Sequence, residues 1–169
     1  KEQETTMATN NKWAVERTNV LQSNKQLTDS YAYLDEGDFG WYAVAGETYE
    51  FDATIVYSVT AITEGVAFSI NSSGTIAADL TTNFISEYNT DATTVVRTAC
   101  VAFNTPDHGS ASPVAFPSGL NIARVYGVVK VDTDGFIGVT GIAENTLQAS
   151  ASGGKCVLKW RRVSWPADA

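Results

Sequence analysis

Histidine is nearly absent from this chain: His108 is the single one among 169 residues. A lone histidine serves as a general base only beside an oriented nucleophile, and no Gly-x-Ser-x-Gly elbow or other nucleophile signature accompanies it. The two cysteines, Cys100 and Cys156, have no companion histidines and so do not make a zinc site. Both sit in apolar stretches and read as buried thiols, while a cross-strand disulfide would need a Cα separation that sequence does not supply. Charged residues are also few, at 18%. Thr, Ser, Asn and Gln must therefore cover much of the surface, which suits strands and turns better than helices. Positive charge is the scarcer sign, with Lys and Arg at 11 against 19 Asp and Glu, leaving a net −8. Such a chain is repelled by phosphate backbones and by anionic lipid, which argues against nucleic acid and membrane as partners. No apolar run approaches the ~20 residues that span a bilayer. Residues 1–11 are polar, without the apolar core of a secretory leader, which points to cytosolic synthesis. Met7 is a candidate native start.

What the chain has instead is alternation. Tyr49, Phe51, Ala53, Ile55, Tyr57 and Val59 share one face of a stretch whose other face carries Glu50, Asp52, Thr54, Val56, Ser58 and Thr60. A period of two over this length specifies a half-buried β-strand, because successive side chains point to opposite sides of a sheet. The same grammar recurs at 27–34, 39–44, 66–70, 93–103, 124–131, 136–143 and 156–161. In 93–103 both faces are small or apolar from Ala99 onward, which predicts a place in mid-sheet. Asp132-Thr133-Asp134-Gly135 predicts a hairpin returning along 136–143. Residues 76–87 fit either a helical face, with Ile76, Leu80 and Phe84, or a strand. Residues 104–120 hold Pro106, Pro113 and Pro117 and read as a long loop. About nine short strands at turn-bounded intervals predict an all-β antiparallel jelly-roll sandwich. Residues 1–26 are expected to form an extended N-terminal arm and 27–169 the sandwich domain.

Candidate chemistry is thin. Asp132-x-Asp134-Gly135 resembles the start of a calcium loop, but its twelfth position is Ala143 rather than an acid. Asp35, Glu36 and Asp38 lie within four residues and read as a solvated loop before they read as paired glycosidase acids. Asn71-Ser72-Ser73 matches a glycosylation acceptor and equally a turn. No catalytic, cofactor or metal residue is assigned. Residues suited to partner contact are Trp13 and Val15 in the arm, Tyr31 and Tyr33 on one face of a short strand, and His108 and Phe116 in the Pro-rich loop. Lys159 and Arg161 add a basic face near the C-terminus of an acidic chain. Trp41, Tyr42, Tyr49, Tyr57 and Trp160 read as core aromatics before they read as a sugar platform.

Segment order resembles small virion surface proteins of tailed bacteriophages, the capsid-decoration and tail-fibre-head proteins. The likeness is carried by Phe39-x-Trp41-x-Ala43-Val44-Ala45-Gly46-Glu47-Thr48-Tyr49-Glu50-Phe51 and by Gly65-Val66-x-Phe68-x-Ile70-Asn71. It continues through Gly127-Val128-Val129-x-Val131-Asp132-x-Asp134-Gly135, Ala149-Ser150-Ala151-Ser152-Gly153-Gly154 and Leu158-x-Trp160-Arg161-Arg162-Val163. The resemblance implies a jelly roll like that of tumour-necrosis-factor or adenovirus-knob heads, and a homotrimer. It implies a non-enzymatic capsid decoration protein on the virion surface, assembled in the host cytoplasm and bound to the major capsid protein or a fibre shaft. The alternative expectation is a fibre head or receptor- or carbohydrate-binding module. No ligand residue carries over, and no cofactor is expected.

Overall fold

A computed structural model describes residues 16–61, 64–73, 82–89, 95–105, 121–146 and 148–163. Every regular element among them is a strand: β1 (Arg17–Val20), β2 (Lys25–Gln26), β3 (Ala32–Tyr33), β4 (Gly40–Ala43), β5 (Thr48–Val59), β6 (Val66–Ser73), β7 (Thr82–Asn89), β8 (Val95–Cys100), β9 (Asn121–Lys130), β10 (Gly135–Ala143), β11 (Ala149–Ala151) and β12 (Val157–Arg162). All pairings are antiparallel and form two sheets, so the expected all-β antiparallel sandwich is the observed fold. The larger sheet runs β1-β12-β5-β9-β7-β8, with β11 adjoining β5 and β2 adjoining β11. The smaller places β10 centrally, with β6 on one side and β3 and β4 on the other. The count rises to twelve because β2, β3 and β11 are only two or three residues long, too short to show a period.

Strand β5 is the spine. Its core-facing side chains Tyr49, Phe51, Ala53, Ile55, Tyr57 and Val59 are all buried. They meet Phe39, Trp41, Phe68, Ile70, Ile137 and Val139 from the small sheet. Trp41 lies between Phe51 and Trp160, at ring distances of 5.7 and 5.8 Å, and packs on Tyr49 at 6.1 Å. Trp160 anchors itself by donating its indole N–H to Asn19 Oδ1 at 3.0 Å. At the other end of the core Tyr57 packs on Phe68 at 5.1 Å. These aromatic contacts add to area burial, each by about 0.5–1.5 kcal/mol.

Four expectations change. First, residues 17–26 are not an arm: β1 pairs with β12 along its whole length, β2 pairs with β11, and Leu21 is in the core. The polar sequence Arg-Thr-Asn-Val hides this strand, because its partner supplies the hydrogen bonds that a periodicity scan does not see. Residues 1–15 lie outside the described part. Second, β10 does not return along β9. The turn after Val131 is a corner between the two sheets, tied to a second corner at 44–47. Gly46 N–H donates to Val131 O at 2.6 Å, Val131 N–H to Glu47 O at 2.9 Å, and Ala45 N–H to Asp134 Oδ1 at 2.7 Å. Gly46 takes φ 79° there, the left-handed region that glycine enters at no steric cost. Third, among the described residues β8 ends its sheet rather than lying inside it. Fourth, only Ala32–Tyr33 of the 27–34 stretch is strand. Of the ambiguous stretch, 82–87 belongs to strand β7, and 76–81 lies outside the described residues.

The cysteines are free and buried. Cys156 precedes β12 and Cys100 closes β8, with β5, β9 and β7 between them. At ~4.8 Å per strand they stand roughly 20 Å apart, far beyond disulfide reach. Burial is the leading cause that pushes both thiols up from their ordinary value.

Candidate functional site

The two sheets treat their outer faces differently. On the small sheet, Phe136, Gly138, Thr140 and Ile142 of β10 point away from the core, as do Ala67 and Ser69 of β6, yet all are buried. The Phe136 ring folds flat over Gly138 and Gly40. A Cβ on Gly40 would sit 2.4 Å from that ring and 2.3 Å from Ile137 O, and a Cβ on Gly138 would sit 2.7 Å from the same ring. Tyr33 and Tyr42 flank Phe136 at 5.8 and 5.9 Å, edge-on. Further along, Thr140 donates to Asn104 Oδ1 at 3.1 Å and Thr105 N–H donates to Ser69 Oγ at 3.1 Å. The segment after β8 thus crosses to the small sheet. Beyond the far end of β10, Glu64 is buried and accepts both Asn145 N–H at 2.7 Å and the Asn145 side-chain amide at 2.9 Å.

On the large sheet the outer face is open. Its β12–β5–β9 half is a groove of about 390 Å³ with Tyr126 and Gly127 at its floor and charge at its rim. Arg161 pairs with Glu50 at 2.5 Å and Lys159 with Glu16 at 3.3 Å. Arg124 holds Asp52 bidentately, with Nε to Oδ1 at 2.8 Å, and lays its guanidinium over the Tyr126 ring at 4.5 Å. That side-chain bond to Asp52 is the first cause of the upward push on Arg124. Arg97 and Glu87 pair at 3.0 Å one strand pair further on. Register sets two of these pairs directly, Arg161 opposite Glu50 and Arg97 opposite Glu87, while Arg124, opposite Thr54, reaches Asp52 on the diagonal.

The β9–β7–β8 half is apolar. Tyr126 is opposite Ile85, and Ile85 opposite Ala99. Val101 is 73% exposed, Ile122 54%, Val95 53% and Val128 41%. A depression of about 240 Å³ lies among Ile85, Ala99, Val101, Tyr126 and Gly127.

Of the residues singled out for partner contact, Lys159 and Arg161 lie together on this outer face, their charges matched across the strands. Tyr33 belongs to the opposite sheet, half-buried beside Phe136, and Tyr31 is half-buried just before β3. Trp13, Val15, His108 and Phe116 lie outside the described residues. Trp41, Tyr49 and Tyr57 are core, whereas Tyr42 is 77% exposed. Sequence reasoning missed Val95, Val101, Ile122 and Val128 as surface residues. For Val101 the signal was the apolar content of both faces from Ala99 onward, taken instead as a sign of burial. Among the described residues no group of three His, Cys, Asp or Glu is placed to hold a metal.

No family model matches the chain, and neither does any curated protein. Two of the solved structures that overlap it distantly are viral. The crystal structure of the infectious bursal disease virus VP2 subviral particle has 11% identity and a TM-score of 0.22, covering 89% of this chain and 37% of that one. The structure of the infectious bursal disease virus Gx strain has 11% identity and a TM-score of 0.26, covering 90% of this chain and 37% of that one. The chain therefore spans little more than a third of the length of either. Likeness at this level carries no functional inference, so function is read from the chain's own residues.

Proposed function

We propose that this chain is a non-enzymatic structural protein of a virion surface, a homotrimeric capsid decoration protein seated on a major capsid protein. The observation that carries the reading is the open outer face of the large sheet. Exposed aliphatic residues stand there beside ion pairs already matched within the chain, which is the composition of a protein-docking surface. The viral setting is supported by the resemblance to phage surface proteins of five sequence segments, which contribute to β4–β5, β6, β9, β11 and β12. The sandwich supports the role physically: non-local strand pairs such as β5 with β9 and β12 build a rigid head.

A second reading, a fibre head or carbohydrate-binding module, is favoured by Tyr42. Its ring is exposed on the Phe136 cluster, as a stacking surface for a sugar would be. Co-sedimentation with empty tailed-phage shells separates the readings. Saturable binding at one copy number per shell symmetry site is expected for decoration. No binding to shells, with Tyr42-dependent binding to glycans or host cells, would overturn it in favour of the second.

A further inference from the structure

Strand β8 has the composition of a covered strand in an uncovered place. Its residues are small or apolar on both faces apart from Arg97 and Thr98, yet it is last in its sheet, and among the described residues it pairs with β7 alone. Edge strands are normally guarded by lysines, prolines or bulges. Here the one charge on the strand, Arg97, is turned onto Glu87. The exposed apolar surface continues from β8 through Ile85 onto Tyr126 and Val128, so it is one patch rather than scattered residues.

Charge selects the occupant. The chain carries a net −8, yet on this face the described cations exceed the anions by one, the extra cation being Lys130 of β9. Arg97 and Arg124 answer Glu87 and Asp52, and Lys159 and Arg161 answer Glu16 and Glu50. The acidic excess therefore belongs to the rest of the chain. Two copies approaching through that remainder repel each other, while through this face they do not. A strongly acidic or strongly basic partner finds only one net charge here to recognise.

We infer that the outer face of β9, β7 and β8 is a self-association surface, on which Ile85, Ala99, Val101, Tyr126 and Val128 pack against a second copy of this chain. This rests on the oligomeric part of the proposed function and names its surface. Burial of a new charge there opposes association without touching the core, because Val101 and Val128 already stand in solvent in the single chain.

The test is native mass and sedimentation of the full chain, as wild type, Val101→Glu, Val128→Glu and the opposite-face control Tyr42→Glu, with circular dichroism to verify folding. The expected result is a wild-type oligomer at micromolar concentration, retained by Tyr42→Glu. Each valine variant is expected to weaken it about tenfold or more, the scale of a charge forced into an interface centre. A wild type that stays monomeric overturns the inference. So does an oligomer unaffected by both valine variants, or one dissociated by Tyr42→Glu alone. Shell binding is measured in parallel. A monomer that still binds shells removes this surface and the trimer and leaves the virion role standing. An oligomer broken by Val101→Glu that ignores shells supports the surface and overturns the virion role.

Discussion

Along β10 the side chains pointing away from the core are as hidden as those pointing into it; along β9 they stand in solvent. Phe136, Thr140 and Ile142 are buried, whereas Ile122, Arg124, Val128 and Lys130 are exposed. Both strands are centrally paired and both are rich in valine and isoleucine. The difference lies in what lies above each. The β10 face has glycines at Gly40 and Gly138, which let one phenylalanine lie down and seal the sheet, and the Asn104–Thr105 segment hydrogen-bonds to its side chains. The β9 face has bulky side chains that ion-pair with one another and leave the valines uncovered. A sheet face is thus closed from within or left for another molecule, and small residues under an aromatic mark the first case.

The sharpest break in that comparison comes from truncating each side. Phe51→Ala, at the centre of the core, is expected to cost about 3–5 kcal/mol. Val101→Ala is expected to stay within about 0.5 kcal/mol in the monomer. Urea unfolding at low protein concentration reads both, and equal losses would mean the outer face is covered after all. Next in size is Gly138→Ala. Its Cβ meets the Phe136 and Tyr33 rings at 2.7 and 2.9 Å, so the sealed face must open. A loss of about 1–3 kcal/mol is expected, with a raised near-ultraviolet tyrosine signal change. A neutral outcome would show that the rings move aside freely.

How far the sequence alone reached follows the same division. The alternation of β5 was legible because one of its faces is core and the other polar, the condition under which a period of two reports burial. The β8 segment misled because alternation reports how apolar a face is and says nothing of whether anything covers it. The β9–β10 turn misled because Asp-Thr-Asp-Gly is compatible with a hairpin and with a corner, and only the bonds from Ala45, Gly46 and Glu47 decide between them. The Arg124–Asp52 pair was beyond sequence altogether. Its partners are 72 residues apart and meet only through the register of β5 on β9.

A smaller effect sharpens the comparison at alkaline pH. On the sealed side, burial and then the nearby Glu36 charge hold the Tyr33 phenol up at about 12. Burial pushes Tyr57 in the same direction, and Tyr49 too. An unfolded tyrosine ionises near ~10. The folded state therefore binds these protons more tightly, so this stabilisation is present in full below pH ~10 and is lost as pH rises towards 12 and beyond. The urea midpoint should fall across that window, and a flat midpoint would show that these phenols are wet. The smallest expected effect is on the open side. Arg124→Ala removes an exposed pair and should cost under about 1 kcal/mol, less still at high salt. A larger loss would mean that the ion-pair rows help to hold the sheet.

The most direct test is side-chain footprinting by hydroxyl radicals on the wild-type chain, compared between nanomolar and high micromolar concentration. Tyr126, Val101 and Val128 should lose reactivity together as concentration rises, while Tyr42 on the opposite sheet keeps its own. Unchanged reactivity of the three residues over that range, or protection of Tyr42 in their place, would contradict the claim that the open face of the large sheet is where copies of this chain meet.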